Sequence, residues 1–360
     1  MRIFEQVEHL GHEQLVFCYS GEAGLKAVIA IHDTTLGPSL GGVRMWPYTS
    51  EAEAVRDALR LSMAMTYKSS VAGLDHGGGK AVVIADPRTD KSEALFRALG
   101  RFIEGLQGRY IAAEDVGTRI EDMDIIRSET RYVTGVCEGF GGGGNPAVTT
   151  AFGVFRGIQS AADEVWGSGD LAGKRVAVQG LGNVGANLCR YLREAGAHLT
   201  VTDIYPERVE AVVGELGAAA VAPEAIYDVE CDIFSPNALG AVMNDGTIPR
   251  LKCKVVAGAA NNQLAEERHG ERLADLGILF APDYVVNAGG VIHVADELLG
   301  FNRERMMART SRIYDNLKKV LRKAREEGIP PFRAADLVAE ERIRQVGRIK
   351  RVFTGPFFKG

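Results

Sequence analysis

"RVAVQGLGNVGANL", residues 175–188, decides the fold of this chain. A short apolar strand, Arg175 to Gln179, runs into Gly180-Leu181-Gly182-Asn183-Val184-Gly185, and a helix opens there. GxGxxG alone is a weak pattern, but between a strand and a helix it has a mechanism. Gly180 makes the tight turn, Gly182 lets the backbone approach a pyrophosphate, and Gly185 permits close helix–strand packing. The helix N-terminus then faces the phosphates. Asp203 closes the next strand, 23 positions after Gly180, near the roughly 20 expected for the acid that bonds a ribose 2′-hydroxyl. A carboxylate there repels a 2′-phosphate, so the cofactor expected is NAD rather than NADP. Arg208 stands close enough in sequence to weaken that preference, and a helix-surface position is its other reading. The segment is a Rossmann domain.

Outward from this block the same alternation continues. Strands are expected at 198–203, 231–236, 254–260 and 277–286, with a helix from Pro206. Strands alternating with helices imply βαβ units and a parallel sheet. Upstream, "GFGGGGNPAVTT" (139–150) interrupts the periodic segments as a hinge or linker, and a helix is expected over 147–166. Before it, "SEAEAVRDALRLSMAMTYK" (50–68) reads as a helix with Ser50 and Glu53 as a capping box. "KAVVIADP" reads as a strand, 91–107 as an amphipathic helix, and "YIAAEDVG" (110–117) as a strand ending in carboxylates. The charged stretch 303–346 reads as helix.

With 360 residues, two domains are expected. They are placed at 1–140, with 330–360 packing back on it, and at 141–329. The fold class is α/β in two domains, the second a Rossmann domain, with a cleft between them. A net charge of −5 argues against a nucleic-acid or membrane-surface partner. No apolar run approaches the ~20 residues of a membrane helix, and the charged N-terminus lacks the apolar core of a signal peptide. The five cysteines (Cys18, Cys137, Cys189, Cys231, Cys253) are scattered without CxxC spacing. That excludes a disulfide framework or a zinc site and places the chain in the cytoplasm.

A Rossmann domain binds cofactor, so the chemistry must come from the other domain. Three ionisable residues there end or begin predicted elements: Lys68, Lys80 and Asp115. Lys80 is the odd one, because "GLDHGGGKAVVIADP" (73–87) sets it between three glycines and the apolar Ala81 to Ala85. A lysine desolvated there beside another cation has its pKa lowered from about 10.4, which suits a base or proton shuttle. The glycines would let a substrate lie against the backbone.

Five blocks carry a resemblance: "HDTTLGPSLGGVRMWPY" (32–48), "MTYKSSVAGLDHGGGKAVV" (65–83), "GRYIAAEDVGT" (108–118), "GAANNQL" (258–264) and "APDYVVNAGGVIHVADE" (281–297). They resemble the amino-acid dehydrogenases acting on leucine, valine and phenylalanine, a branch of the glutamate dehydrogenase superfamily. The resemblance implies an N-terminal dehydrogenase-type α/β domain and homo-oligomers, often octamers. It implies Lys80 as the catalytic lysine, Lys68 as the holder of the substrate α-carboxylate, and Asp115 as the group exchanging protons with the substrate nitrogen. Thr150 and Asn262 match positions that hold nicotinamide and substrate, and Asn287 lies in the matching loop. The reaction implied is NAD-dependent oxidative deamination to a 2-oxo acid and ammonia. Lys80 would activate the water that attacks an iminium and then stabilise the carbinolamine oxyanion.

Glutamate-acting relatives carry a lysine where this chain has Leu40, beside Gly41, and a serine where it has Val294. With both polar anchors gone, Leu40, Ala113, Val291 and Val294 are expected to line an apolar pocket for a branched-chain side chain. "AGLDHGGGKAV" is closest to valine-acting members, and His76 differs from the apolar residue of leucine-acting ones. A phenylalanine dehydrogenase is the nearest rival, and Ala113 argues against it because aromatic-acting relatives tend to carry glycine there. A non-catalytic NAD-binding protein would not need Lys68, Lys80 and Asp115 together. A hydroxy-acid dehydrogenase would want a His/Asp pair with an Arg, and no convincing set is present.

Overall fold

The computed structural model describes residues 2–349, so the last part of the 330–360 segment lies outside the described residues. The N-terminal half builds a five-stranded mixed sheet from β1 (Gln14–Ser20), β2 (Leu25–Asp33), β3 (Ser39–Trp46), β4 (Gly77–Ile84) and β5 (Tyr110–Glu114), in the order β1-β2-β4-β3-β5. β1, β2 and β4 pair antiparallel, whereas β3 runs parallel to both β4 and β5. The C-terminal ends of β3 and β5 therefore lie side by side, and β4 flanks β3.

Helix Glu51–Val71 covers one face of this sheet through Ala54, Val55, Ala58 and Leu59. It starts at Ser50 because the Ser50 hydroxyl accepts the Glu53 N–H at 3.2 Å, a cap worth about 1 kcal/mol. Glu53 reaches back one residue further than the capping box expects, accepting the Thr49 N–H and hydroxyl. Helices Glu93–Gly105 and Ile120–Arg127 close the other face over Leu25, Ile29, Val43 and Tyr110.

The second half holds a six-stranded sheet, ordered β11-β10-β9-β6-β7-β8: β6 Arg175–Gln179, β7 His198–Thr202, β8 Ala219–Ala220, β9 Ile233–Pro236, β10 Val255–Val256, β11 Leu279–Phe280. All its pairings are parallel, and the order reverses at β6, the switch point where such sheets bind ligands. The expected strand over 277–286 is corrected. Only Leu279–Phe280 pairs, and Asp283–Val286 is a helical turn behind Pro282. Proline removes the N–H a ladder needs. The helical stretch from 303 divides into Arg303–Ser311, Ile313–Glu327 and Pro331–Gly347. The last of these crosses to the first half. Arg342 bonds the Leu74 carbonyl and Asp75, and Ser70 donates to the Ala339 carbonyl.

Candidate active site

The glycines before Lys80 are strand, not loop. Gly77 to Gly79 open β4 and are buried. A Cβ on Gly78 would lie 2.2 Å from the Thr66 nitrogen and 2.3 Å from the Ser62 carbonyl, and one on Gly79 would lie 2.6 Å from the Tyr110 ring. Protein atoms occupy the space the sequence reading reserved for substrate. The glycines let helix Glu51–Val71 sit directly on β4, and that packing carries Lys68, in the helix's last turn, towards Lys80.

Lys80 is the fourth residue of β4 and points to the helix-covered face, because it stands two residues from Gly78. Asp115 follows β5, on the far side of β3. The two side chains meet across Gly42 of β3. Lys80 Nζ lies 2.7 Å from Asp115 Oδ2, while a Cβ on Gly42 would lie 2.6 Å from Asp115 Cβ and 3.3 Å from Lys80 Nζ. Any larger residue at 42 would stand between the ammonium and the carboxylate.

The electrostatics follow from burial. Lys80 is 5 % exposed, and desolvation pulls its pKa below the usual lysine range, opposed by Asp115 and assisted by Arg44. Burial alone would raise the Asp115 pKa, but the charges of Lys80 and Arg44 hold it down at about 2. Lys68 is half-buried, and its pKa is drawn down to about 8, first by desolvation and against the pull of Asp283. No described hydrogen bond or ion pair holds its ammonium group, whereas Lys80 is paired. Lys68 is thus a cation free to bind an external carboxylate, next to a buried acid–base pair.

Leu40, Val291 and Val294 pack in one apolar cluster with Ile111, Leu74 and half-buried Met65. Val291 and Val294 share a face of helix Gly289–Glu297, which reaches from the second half onto the first. Ala113 is buried and lies two residues beyond Ile111 on β5, hence on the same face. Gly41 lies where β3 crosses β4 most closely, since a Cβ there would meet the Gly79 carbonyl oxygen at 1.7 Å. His76 sits in the loop before β4, half-buried, with Nδ1 3.3 Å from the Pro38 carbonyl oxygen.

At the second sheet, Gly180 adopts φ +91°, Gly185 packs where a Cβ would lie 1.9 Å from the Gly180 carbonyl oxygen, and the Cβ position of Gly182 is open. Leu181 donates its N–H to Asp203 Oδ2 at 2.6 Å, and Asn183 and Val184 begin helix Asn183–Glu194. A cavity of about 380 Å³ beside the turn is lined by Gly180, Asp203, Ile204, Arg208, Tyr227 and Leu239. Arg208 borders this cavity while its side chain stays exposed on the helix surface, 3.7 Å from Asp203 Oδ2 and stacked on Tyr205. Asn287 donates to the Ala259 carbonyl and to Asn261, and its buried Oδ1 has no partner. Thr150 sits against Gly290 with its hydroxyl on the Pro146 carbonyl. Asn262, exposed at φ +51°, accepts the Ala241 N–H through its carbonyl. The open Gly182, the cavity over Asp203 and the unpartnered Asn287 oxygen fit a dinucleotide lying along the switch point with its reactive end near Asn287.

Polar residues without a sequence signal complete the site. Arg44 bridges Asp115 and Asp57. Asp283 faces Lys68 electrostatically. Glu297, almost fully buried, accepts the Thr134 hydroxyl at 2.6 Å and the Gly135 and Gly143 N–H groups at 2.7 and 2.9 Å. It clasps the glycine-rich connection to the helix that carries Val294. Their partners lie far away in the chain, so spacing gave no warning of them.

Comparison with known proteins places this geometry. The profile of the Glu/Leu/Phe/Val dehydrogenase dimerisation domain matches residues 12–132. That of Glutamate/Leucine/Phenylalanine/Valine dehydrogenase matches 141–205 and 206–351. A leucine dehydrogenase of Thermoactinomyces intermedius is 61% identical, over 98% of this chain and 96% of its own length. A valine dehydrogenase of Streptomyces coelicolor is 52% identical over 93% of each chain. Over the whole length the leucine enzyme is thus the nearer of the two, unlike the local cast of the block around His76. The crystal structure of L-tryptophan dehydrogenase from Nostoc punctiforme superposes with a TM-score of 0.87 at 46% identity, covering 96% of this chain and 100% of that one.

Proposed function

The chain belongs to the glutamate/leucine/phenylalanine/valine dehydrogenase family and is an amino-acid dehydrogenase with a nicotinamide cofactor; on that premise we propose that it carries out the NAD-dependent, reversible oxidative deamination of leucine, valine and isoleucine. The products are the 2-oxo acid, ammonia and NADH. One observation carries the reading: the unpaired Lys68 and the buried Lys80–Asp115 pair adjoin a cluster whose members Leu40, Val291 and Val294 are all apolar.

In this reading Lys68 binds the α-carboxylate, common to every amino acid. Asp115, ionised throughout the neutral range, takes a proton from the substrate ammonium. Lys80, kept below its ordinary pKa by burial, removes a proton from the attacking water and returns it as the carbinolamine collapses. Gly180 to Gly185 and Asp203 would hold NAD by its pyrophosphate and ribose, with Thr150, Asn262 and Asn287 at the nicotinamide. Bound NAD supplies the hydride acceptor.

Asp203 supports NAD over NADP. Its carboxylate is fixed by the Leu181 and Tyr205 N–H groups and offsets the charge of Arg208, so a 2′-phosphate finds no free cation. The apolar cluster supports a branched aliphatic substrate. Burying a valine or leucine side chain there is worth roughly 1.5–3 kcal/mol, whereas a glutamate carboxylate would be desolvated without a partner at a cost of several kcal/mol. Initial rates on leucine, valine, isoleucine, phenylalanine and glutamate, each with NAD and NADP, test the reading. The branched substrates should lead with NAD, within about tenfold to a hundredfold of one another. Glutamate turnover comparable with leucine would overturn the pocket.

A further inference from the structure

We propose that Arg44 is a positioning residue of this reaction: it shares one oxygen of Asp115 with Lys80, leaves the other to the substrate nitrogen, and offsets the Asp115 charge felt by Lys80. The proposal rests on Lys80 being the base.

Asp115 Oδ2 accepts both Lys80 Nζ at 2.7 Å and Arg44 Nε at 2.9 Å. No described hydrogen bond or ion pair uses Oδ1, although the side chain is 22 % exposed. One oxygen is therefore committed and the other offered. A carboxylate facing Lys80 alone would favour the protonated ammonium and silence it as a base. Arg44 supplies the compensating cation, since a guanidinium cannot give up its proton at working pH.

Arg44 is anchored from behind. Its Nη1 lies 3.0 Å from Asp57 Oδ2, which also accepts the Tyr48 hydroxyl at 2.6 Å, and Asp57 Oδ1 takes Arg60 at 2.9 Å. The charged and titratable groups around the pair are then Asp115 after β5, Arg44 on β3, and Asp57 and Lys68 on helix Glu51–Val71. Tyr48 and Arg60 stand behind Asp57, and Tyr110 and Glu114 lie beside Asp115. Arg44 is the group among them that touches Asp115 and carries a fixed positive charge. Its outer side borders a cavity of about 580 Å³ lined also by Trp46, Tyr48, Asp57, Arg60 and Val116, large enough to admit a guanidinium ion.

The test is the pH profile of kcat/KM for leucine deamination in wild type, Arg44→Met, Arg44→Ala and Arg44→Lys, with NAD affinity measured alongside. Without the cation Lys80 keeps its proton to higher pH. The acid limb of Arg44→Met should therefore move to higher pH, with about a tenfold or greater loss at neutral pH and a smaller one above the limb. NAD binding should be unchanged. Arg44→Lys should restore most of the limb's position, and millimolar guanidinium should recover activity in Arg44→Ala. A limb at the wild-type pH in Arg44→Met, with a loss uniform in pH, overturns the proposal. If Arg44→Met does not fold, a wild-type limb in Arg44→Ala without guanidinium overturns it equally. Should Lys80→Ala retain the wild-type rate, the reading of Lys80 fails and this proposal with it. Should Lys80→Ala be inactive while Arg44→Met and Arg44→Ala leave the limb in place, the Arg44 proposal alone fails.

Discussion

Replacing Gly42 with alanine asks whether the acid–base pair depends on an absent side chain. The new Cβ would lie 2.6 Å from Asp115 Cβ, 2.8 Å from the Glu114 carbonyl oxygen and 3.3 Å from Lys80 Nζ. Restoring ordinary contact at about 3.5 Å moves Asp115 by roughly 1 Å, enough to break its 2.7 Å contact with Lys80. Overpacking of this kind costs typically ~1–3 kcal/mol in a core, which the domain should survive. Misplacing a catalytic group by about 1 Å can cost on the order of a hundredfold in rate. The expected result is a folded protein of modestly lower Tm, NAD affinity like wild type, and kcat for leucine down by about 10²-fold. The acid limb should move to lower pH, because Asp115 is the group that most raises the Lys80 pKa. Gly105→Ala, where nothing lies within 4 Å of the new Cβ, is the control and should leave activity alone. Wild-type kcat in Gly42→Ala would refute the reasoning.

Lys80→Ala should lower kcat by about 10²–10⁴-fold with NAD binding retained, and Lys68→Ala should instead raise KM for every amino acid, as steady-state kinetics would show. Because burial draws the Lys68 pKa to about 8, its charge is present below that pH and lost above it. The affinity of a carboxylate-bearing inhibitor such as 4-methylpentanoate should weaken as pH rises through about 8. Asp203→Ser should narrow the NAD/NADP ratio of kcat/KM, and equal use of both cofactors by the unmodified enzyme would count against Asp203. Glu297→Gln sets an amide N–H against a backbone N–H or the Thr134 hydroxyl, which should cost about 1–3 kcal/mol. Thermal unfolding should report that loss, together with a raised KM for leucine through displacement of Val294.

The second domain was legible because its signals are local. A strand, a turn that needs glycine at Gly180, a helix and an acid at Asp203 follow one another in a single βαβ unit. The N-terminal sheet was less so. β3, with Gly41 and Gly42, gave no strand signal, and β4 opens on three glycines that read as loop until their burial shows them to be strand. Lys68, Lys80 and Asp115 stood out as polar residues at the ends of apolar segments and in family-like blocks. Arg44 and Glu297 did not, because a charged residue acquires meaning from its partner. Theirs lie 71 residues away at Asp115 and 163 away at Thr134. The strand expected over 277–286 failed at Pro282, whose missing N–H and fixed φ were outweighed in the reading by the surrounding apolar residues.

The account stands or falls on hydride removal from the α-carbon of a branched-chain amino acid at the Lys68–Lys80–Asp115 cluster. The direct measurement uses [2-²H]leucine and NAD, following deuterium in the reduced cofactor by mass and quantifying 4-methyl-2-oxopentanoate and ammonium. The account predicts one deuterium per NADH, equimolar oxo acid and ammonium, and loss of all three in Lys80→Ala. Reduced cofactor without deuterium, or undiminished turnover in Lys80→Ala, would contradict it.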